Sequence, residues 1–192
     1  MISEFSGALY AKLTRSMQLT EKQYTAGLYG MNGAIYTALS TAVLVLFGSL
    51  FGDLSSTCII IAVYYLNQTV GGGFHATTHT KCLMTMLVGL ATGIVILKYC
   101  YWSVVKTVAL ASVAFVLMLF VPLVLHKNKR FLETQKQTLI RKSRMCLISE
   151  IILFLIMVAN QYELSKAFVV GVSLAAVSRV VGKIINMRKH LA

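Results

Sequence analysis

Two histidines and a cysteine lie close together in a short polar stretch of an otherwise apolar chain. They are His75, His79 and Cys82, and they follow three consecutive glycines that begin at Gly71. Glycine allows backbone conformations that a side chain forbids, so the stretch 71–82 can bend sharply. Reactive side chains at a polar interruption of an apolar sequence indicate a candidate active site.

The residues leave three interpretations of this stretch open. In the first, Cys82 is a nucleophile, and a neighbouring imidazole holds its thiol as thiolate near neutral pH. In a straight helix His79 lies one turn from Cys82, whereas His75 lies about 10.5 Å of helical rise away. Hydrogen-bond reach is about 3 Å, so His75 can act as the base only if the backbone bends between them.

The second interpretation is a zinc site, since the pattern His75-x3-His79-x2-Cys82 puts three ligands on one helical face. The pattern lacks the glutamate that serves as base in His-Glu-x-x-His metalloproteases, and the chain offers no strong fourth ligand. We therefore predict no metal and no other cofactor. The third interpretation is a polar loop without chemistry.

The composition excludes a soluble globular protein. Of 192 residues, 57% are hydrophobic and only 12% are charged, and the mean hydropathy is +0.76. We predict an all-α polytopic membrane protein, because several apolar runs approach the roughly 20 residues that a helix needs to cross a bilayer. About six transmembrane helices are expected, at 33–51, 54–70, 82–98, 102–125, 146–161 and 164–182. Because the second and fifth runs are short, four spans with re-entrant segments are the alternative.

The basic residues are distributed unevenly between the two predicted sides of the membrane. The net charge is +12, and all of the 18 Lys and Arg except Lys98, Lys106 and Lys166 fall on the side of both termini, the stretch 71–81 and the loop 126–145. By the positive-inside rule this side is cytoplasmic. The positive charge is thereby assigned to topology and to anionic lipid, and we predict no nucleic-acid partner.

We predict one integral membrane domain over residues 1–192, which begins with an amphipathic cytoplasmic arm at 1–32. In this arm Phe5, Leu9 and Leu13 recur every fourth residue, as in a helix that lies on the membrane surface. The following Thr20-Glu-Lys-Gln23 has the form of a capping box that opens the next helix.

Single residues in the apolar runs carry further predictions. Glu150 is the acid placed within a span, and we expect it to pair with the basic loop near the cytoplasmic end of the fifth helix. Pro122 is expected to kink or end the fourth span. The remaining cysteines have no paired spacing and are interpreted as packing residues: Cys58, Cys100 and Cys146.

The polar stretch is similar to the core of a known family. Gly72-Gly73-Phe74-His75-Ala76, followed by Lys81 and Cys82, resembles the accessory gene regulator B (AgrB) family, the integral membrane cysteine endopeptidases of bacterial peptide quorum sensing. The resemblance extends to the chain length, the basic arm, the apolar runs and the basic cytoplasmic loop at 126–145. It implies that His75 and Cys82 are the catalytic pair and that 71–82 is the catalytic segment.

The resemblance also concerns residues around the catalytic pair. Tyr29-Gly30-Met31-Asn32 resembles a second family segment, whose last position commonly carries an amide or an acid. The family often has an arginine just before the glycines, where this chain has Gln68 and Thr69. The positions that we expect to orient the histidine or to bind substrate are Asn32, Gln68, Gly72, Gly73 and Lys81.

The function implied by the resemblance is the processing of a short AgrD-like propeptide with an amphipathic leader, a central signal segment and an acidic tail. Cys82 would cleave off the tail through a thioester, which the signal segment would convert to a thiolactone or lactone. The implied partners are this propeptide, the lipid bilayer of the bacterial cell membrane and a second copy of the chain in a homodimer. The rival function is a small transporter or channel-like protein that uses the glycine-rich stretch as its substrate site.

Overall fold

The computed structural model describes residues 2–74, 76, 78–124, 133–160 and 162–191. In this part of the chain there are seven helices and no strand: α1 Ile2–Leu13, α2 Glu21–Phe51, α3 Leu54–Gly71, α4 His79–Tyr99, α5 Val104–Phe120, α6 Glu133–Asn160 and α7 Tyr162–Leu191. The predicted all-helical fold is confirmed.

Four of these helices are long and apolar enough to cross a membrane, by length and composition: α2, α4, α6 and α7. The helix α5, with 17 residues, is a shorter apolar helix. The 18-residue helix α3, predicted as a span at 54–70, is not among the four. Over the described residues the fold therefore agrees with a polytopic membrane protein that has four candidate spans, the lower of the two predicted numbers.

The chain divides into two compact units, Met1–Leu44 and Val45–Ala192. The first unit contains α1 and most of α2. Phe5 and Leu13 of α1 are 62% and 57% exposed, so this helix presents apolar side chains on its surface. The predicted contact of the arm with the membrane surface stays a prediction.

The predicted capping box at the start of α2 is confirmed. The Thr20 N–H donates to Gln23 Oε1 over 3.0 Å, and the Gln23 N–H donates to the Thr20 hydroxyl over 3.4 Å. These reciprocal bonds satisfy two N–H groups that have no partner within the helix. The helix consequently begins at Glu21 and continues without a break into the first apolar run.

The central helix of the second unit is α7. Half of the residues in its apolar 18-residue stretch are buried, against 11% to 22% in the other candidate spans. The helix packs most extensively against α3 and α5. Its core residues join those of α3, α5 and α6 in one cluster: Val63, Ala111, Ala114, Phe115, Met118, Leu147, Phe154, Phe168, Val169, Val172 and Ala176. The buried face of α7 is therefore the scaffold of this unit.

The outward faces of α4, α5 and α6 are apolar. Val88, Val105 and Ile148 are 67%, 78% and 59% exposed. Lipid tails are as apolar as these side chains, so a membrane protein can expose them without the cost that water would impose.

Polar side chains cap three helices of the second unit at their first turns. Asp53 caps α3 by accepting the Ser56 N–H over 2.9 Å, Thr78 caps α4 by accepting the Lys81 N–H over 3.3 Å, and Ser103 caps α5 in the same way. Hydrogen bonds from the Ser56 side chain, and then from its backbone, lower the pKa of the Asp53 carboxyl.

Two predicted boundaries are wrong. The helix α6 begins at Glu133, so the predicted loop 126–145 is helical wherever it is described; residues 126–132 lie outside the described part. Its polar half contains no glycine or proline to end the helix. At the other boundary, α5 ends at Phe120 rather than at 125, because Pro122 disfavours helical backbone just before it.

Candidate active site

Cys82 lies in the first turn of α4, the helix that begins at His79. Its N–H donates to the Thr78 carbonyl over 3.0 Å, so its backbone belongs to the regular helix. Its side chain is half-buried. The N–H groups at the start of a helix favour negative charge nearby. The thiol is therefore partly accessible and is carried by a rigid element.

The chain leaves α3 through a turn at residues 71–74, here named the glycine turn. Gly72 has a φ of +67°, in the left-handed region, and its N–H donates to the Gln68 carbonyl over 3.1 Å. Val124, beyond the end of α5, donates its N–H to the Gly71 carbonyl over 2.8 Å. A Cβ on Gly72 would lie 2.1 Å from the Val124 carbonyl oxygen, so both conformation and space require glycine.

Ser178 of α7 holds the far end of the glycine turn. The Phe74 N–H donates to the Ser178 carbonyl over 3.0 Å and lies 3.1 Å from its hydroxyl oxygen. The Gln68 amide nitrogen donates to the same hydroxyl over 2.6 Å. A Cβ on Gly73 would lie 2.5 Å from Gln68 Oε1 and 2.7 Å from Ser178 Oγ. Two predicted site residues, Gln68 and Gly73, therefore meet at one serine of α7.

Gly182, one helical turn after Ser178, brings the backbone of α7 against the glycine turn. A Cβ on Gly182 would lie 2.9 Å from the Gly73 carbonyl carbon and 2.9 Å from the Phe74 nitrogen. Both neighbours are backbone atoms, so no side chain can rotate away to make room. The absence of a side chain at 182 is thus a condition for this contact.

Tyr64 of α3 also contacts Ser178. Its hydroxyl donates to Ser178 Oγ over 3.5 Å, a long bond. The glycine turn and Tyr64 therefore share Ser178 as a hydrogen-bonding partner, and Cys82 follows the turn in the sequence, eight residues after Phe74.

A buried polar network joins α3, α6 and α7 beside the glycine turn. Arg179, 2% exposed, donates to Asn67 Oδ1 over 2.9 Å and to the Ser143 hydroxyl over 3.2 Å. The Asn67 amide nitrogen donates to Glu150 Oε1 over 2.6 Å. Glu150 is 3% exposed. Its expected pairing with the basic loop is wrong, because α6 directs its carboxylate inward to Asn67.

The structure describes all but one of the predicted site residues, and three of them meet at the glycine turn: Gln68, Gly72 and Gly73. Lys81 is exposed in the first turn of α4, beside Cys82, and His79 is exposed at the start of that helix. His75, the predicted base, lies outside the described residues, and its pairing with Cys82 stays a prediction.

Asn32 lies in α2, within the first unit. Its side-chain oxygen accepts a hydrogen bond from the Ser6 hydroxyl of α1. Ser6 is fully buried, so this bond joins the two helices of the first unit. The role of Asn32 in orienting the histidine or binding substrate stays a prediction.

The described residues contain no group of three His, Cys, Asp or Glu side chains arranged to hold a metal ion. The zinc interpretation also involves His75, which lies outside that part of the chain. The prediction that Cys82 works without a metal is therefore tested with chelators.

A comparison with protein families gives a match over most of the chain. The family model described as accessory gene regulator B (AgrB) matches residues 6–178. The chain belongs to the AgrB family. The matched region contains the glycine turn and Cys82, and it ends at Ser178. Comparisons with curated proteins and with solved structures found no match.

AgrB proteins are generally processing enzymes for the AgrD propeptide. Family membership therefore assigns this protein to quorum-sensing peptide processing, with an AgrD-like propeptide as partner in a membrane context. The fold agrees with this assignment, since AgrB is a membrane family and four described helices are candidate spans.

Several residues that shape this AgrB site were missed in the sequence. Ser178 and Arg179 lie far along the chain from Cys82, and Asn67 lies inside a predicted span. A signal was nevertheless present, because Asn67, Glu150 and Arg179 each interrupt an apolar run. Polar residues at such positions usually face the interior of a bundle and pair with one another.

The other cysteines of this AgrB protein lie outside the buried cluster of the bundle. Cys58 and Cys100 are exposed, so the packing role predicted for them is wrong within the single chain. Cys146 of α6 is half-buried, like Cys82. Because both thiols are half-buried, Cys146 serves as a control for experiments on Cys82.

Proposed function

We propose that this protein is a membrane cysteine endopeptidase that cleaves the C-terminal tail from a short AgrD-like propeptide. The observation that carries the proposal is the place of Cys82, which is partly accessible in the first turn of α4, eight residues after a turn that α7 holds through Ser178. A nucleophile carried by rigid elements can be aligned with the scissile carbonyl, and such alignment is a large part of catalysis.

In the proposed reaction, Cys82 Sγ attacks the carbonyl carbon between the signal segment and the tail. His75 takes the thiol proton and gives it to the leaving amine, so the tail departs and the signal segment stays on Cys82 as a thioester. A thiol inside the signal segment then attacks this carbonyl and closes a thiolactone, while its proton passes to the Cys82 sulfur. A serine hydroxyl would give a lactone.

Water must be kept from the thioester in this scheme. Exchange between two thiols is nearly isoenergetic, whereas hydrolysis would end the reaction as a linear acid. The half-buried position of Cys82, beside a bundle with apolar outward faces, supports a site with restricted access to water.

Basic residues around the glycine turn fit the acidic tail of the propeptide. Three exposed cations of α6 lie on either side of Ser143, the residue to which Arg179 donates: Arg141, Lys142 and Arg144. Because Arg179 also lies against Gly71, these cations are at the same end of the bundle as the glycine turn. They would attract an acidic tail toward Cys82.

The same charges bear on sidedness. We propose that this end of the bundle faces the cytoplasm of the bacterial cell, because it carries the excess of basic residues. The proposed assembly is a homodimer, as the family resemblance implies.

Co-expression of an AgrD-like propeptide with the wild type, Cys82→Ala or Cys146→Ala tests the proposal by mass spectrometry of the products. The wild type and Cys146→Ala are expected to release the tail and to form a cyclic product, lighter by one water than the linear acid. Cys82→Ala is expected to insert into the membrane and leave the propeptide intact. Tail release by Cys82→Ala at the wild-type rate would refute the peptidase and favour the transporter function.

A further inference from the structure

Arg179 is the largest fully buried side chain in the described part of the chain, although it lies in a candidate span. A buried guanidinium is costly unless it is hydrogen-bonded or paired, and in the described part of the chain the Nε of Arg179 has no hydrogen-bond partner. Neither the predicted catalytic pair nor the predicted substrate positions include it. The contacts of Arg179 should therefore explain why a charged side chain is kept in the interior.

The guanidinium of Arg179 joins three helices at once. One terminal nitrogen donates to both the backbone oxygen (3.2 Å) and the side-chain oxygen (2.9 Å) of Asn67 in α3. The other donates to Ser143 in α6 over 3.2 Å. The amide nitrogen of Asn67 in turn donates to the Glu150 carboxylate over 2.6 Å. The cation and the anion are thus held by the two ends of one amide.

The same guanidinium lies against the first residue of the glycine turn. A Cβ on Gly71 would be 2.2 Å from its central carbon and 2.2 Å from the nitrogen that bonds Asn67. In the described backbone only Gly72 has a positive φ, so Gly71 has ordinary helical geometry and would accept an alanine if space allowed. At Gly71 the requirement for glycine therefore comes from Arg179.

We propose that Arg179 is a positioning residue of the peptidase site. It holds the last turn of α3 through its hydrogen bonds to Asn67, and its guanidinium fills the space beside Gly71. The adjacent Ser178 accepts the hydrogen bond of the Phe74 N–H. Two consecutive residues of α7 thus contact both ends of the glycine turn, and they set the direction in which the chain continues toward Cys82. This inference rests on the proposed function, since it assigns a role in that site.

The chemistry of the side chain explains why an arginine is needed here. Its planar fork reaches two helices with separate nitrogens, whereas a lysine ammonium is a single point with a different geometry. Arg179→Lys keeps the positive charge opposite Glu150 but loses this simultaneous contact. Gly71→Ala leaves the charge untouched and instead pushes the guanidinium away.

The test is a double-mutant cycle of Arg179→Lys and Gly71→Ala, with Gly89→Ala as matched control because its Cβ would meet only Leu174 at 3.7 Å. Each variant is checked for membrane insertion and for a monodisperse peak in detergent, and kcat and KM for propeptide cleavage are measured. We expect each single variant to lose up to about 10²-fold in kcat with KM little changed, since misplacement of the site by 1 Å costs about that much. We expect the double variant to lose no more than the worse single one, since both changes remove the same contact.

The results separate positioning from other roles. A rise in KM with unchanged kcat would mean that Arg179 contacts substrate, and fully additive losses would mean that Gly71 and Arg179 act independently; either result overturns the inference. If Arg179→Lys does not insert into the membrane, Gly71→Ala is compared with Gly89→Ala. Equal kcat values for these two variants overturn the inference that Arg179 positions the site. Cleavage by Cys82→Ala would instead refute the proposed function, whereas an inactive Cys82→Ala with fully active Arg179 and Gly71 variants refutes the inference alone.

Discussion

Substitution of Gly182 by alanine measures how closely α7 must approach the glycine turn. The added Cβ would lie 2.9 Å from the Gly73 carbonyl carbon and from the Phe74 nitrogen, whereas ordinary contact begins at 3.4 Å. The turn must therefore move by about 0.5 Å, because backbone atoms cannot rotate aside. Overpacking of this kind costs about 1–3 kcal/mol, partly offset by the gain of about 1 kcal/mol in helix propensity.

The effect on catalysis is expected to be similar in free energy to the effect on stability, because a tenfold change in rate corresponds to about 1.4 kcal/mol. If a 1 Å misplacement costs about 10²-fold in rate, a displacement of half that size corresponds to about tenfold in kcat. The assay is single-turnover cleavage of the propeptide in detergent, with thermal unfolding of the same preparations. Gly89→Ala is the control, since it adds the same methyl group where only an ordinary contact results. Equal cleavage rates for the two variants would show that the contact of α7 with the turn does not set the geometry of the site.

Three further predictions concern the base, the topology and a helix cap. His75→Ala is expected to lose about 10²–10⁴-fold in cleavage rate and to slow the alkylation of Cys82, because a general base is removed. His79→Ala and chelators should leave cleavage nearly intact. An inactive His79→Ala together with an active His75→Ala would make His79 the base instead. In a chain whose own cysteines are replaced by serine, a cysteine at position Gln135 should resist an impermeant thiol reagent in intact cells, whereas one beside Asp53 should react; labelling at 135 would invert the topology. Asp53→Ala should lower the free energy of unfolding by about 1 kcal/mol at neutral pH, as for other lost helix caps. Because the pKa of Asp53 is lowered in the fold, the cap stabilises above the unfolded-state pKa of about 3.9, and the gap to Asp53→Ala should close as the pH falls below it; a gap that widens in acid would contradict this.

Local sequence patterns were sufficient for the fold class and the family, and they supplied the proposed nucleophile. Apolar runs identify membrane helices because the bilayer demands about 20 such residues in a row. The Thr20–Gln23 capping box acts over three residues, so it is visible in the sequence and present in the structure. Cys82 was marked by the polar stretch around it and by the family pattern. Each of these signals is short-range.

The contacts that arrange the site could not be predicted in the same way. Gln68 and Ser178, or Asn67 and Arg179, are separated by more than half the chain, and no local rule pairs them. The position of Glu150 was predicted within a span, but its partner was wrong, because the sequence does not tell which face of α6 turns inward. The polar half of α6 was taken as a loop since its charges suggested water, although charged residues are also good helix formers.

The order of the buried ions along the chain has a consequence for how the protein enters the membrane. Asn67 belongs to α3, Glu150 to α6 and Arg179 to α7, so the amide that holds both ions is synthesised before either of them. An unpartnered charge within an inserting helix costs free energy, and a polar partner reduces that cost. When Glu150 and later Arg179 are synthesised, Asn67 is already present to bond them. The insertion of α7 then completes the polar network. A C-terminal fragment without α3 would have to insert both charges with no amide between them.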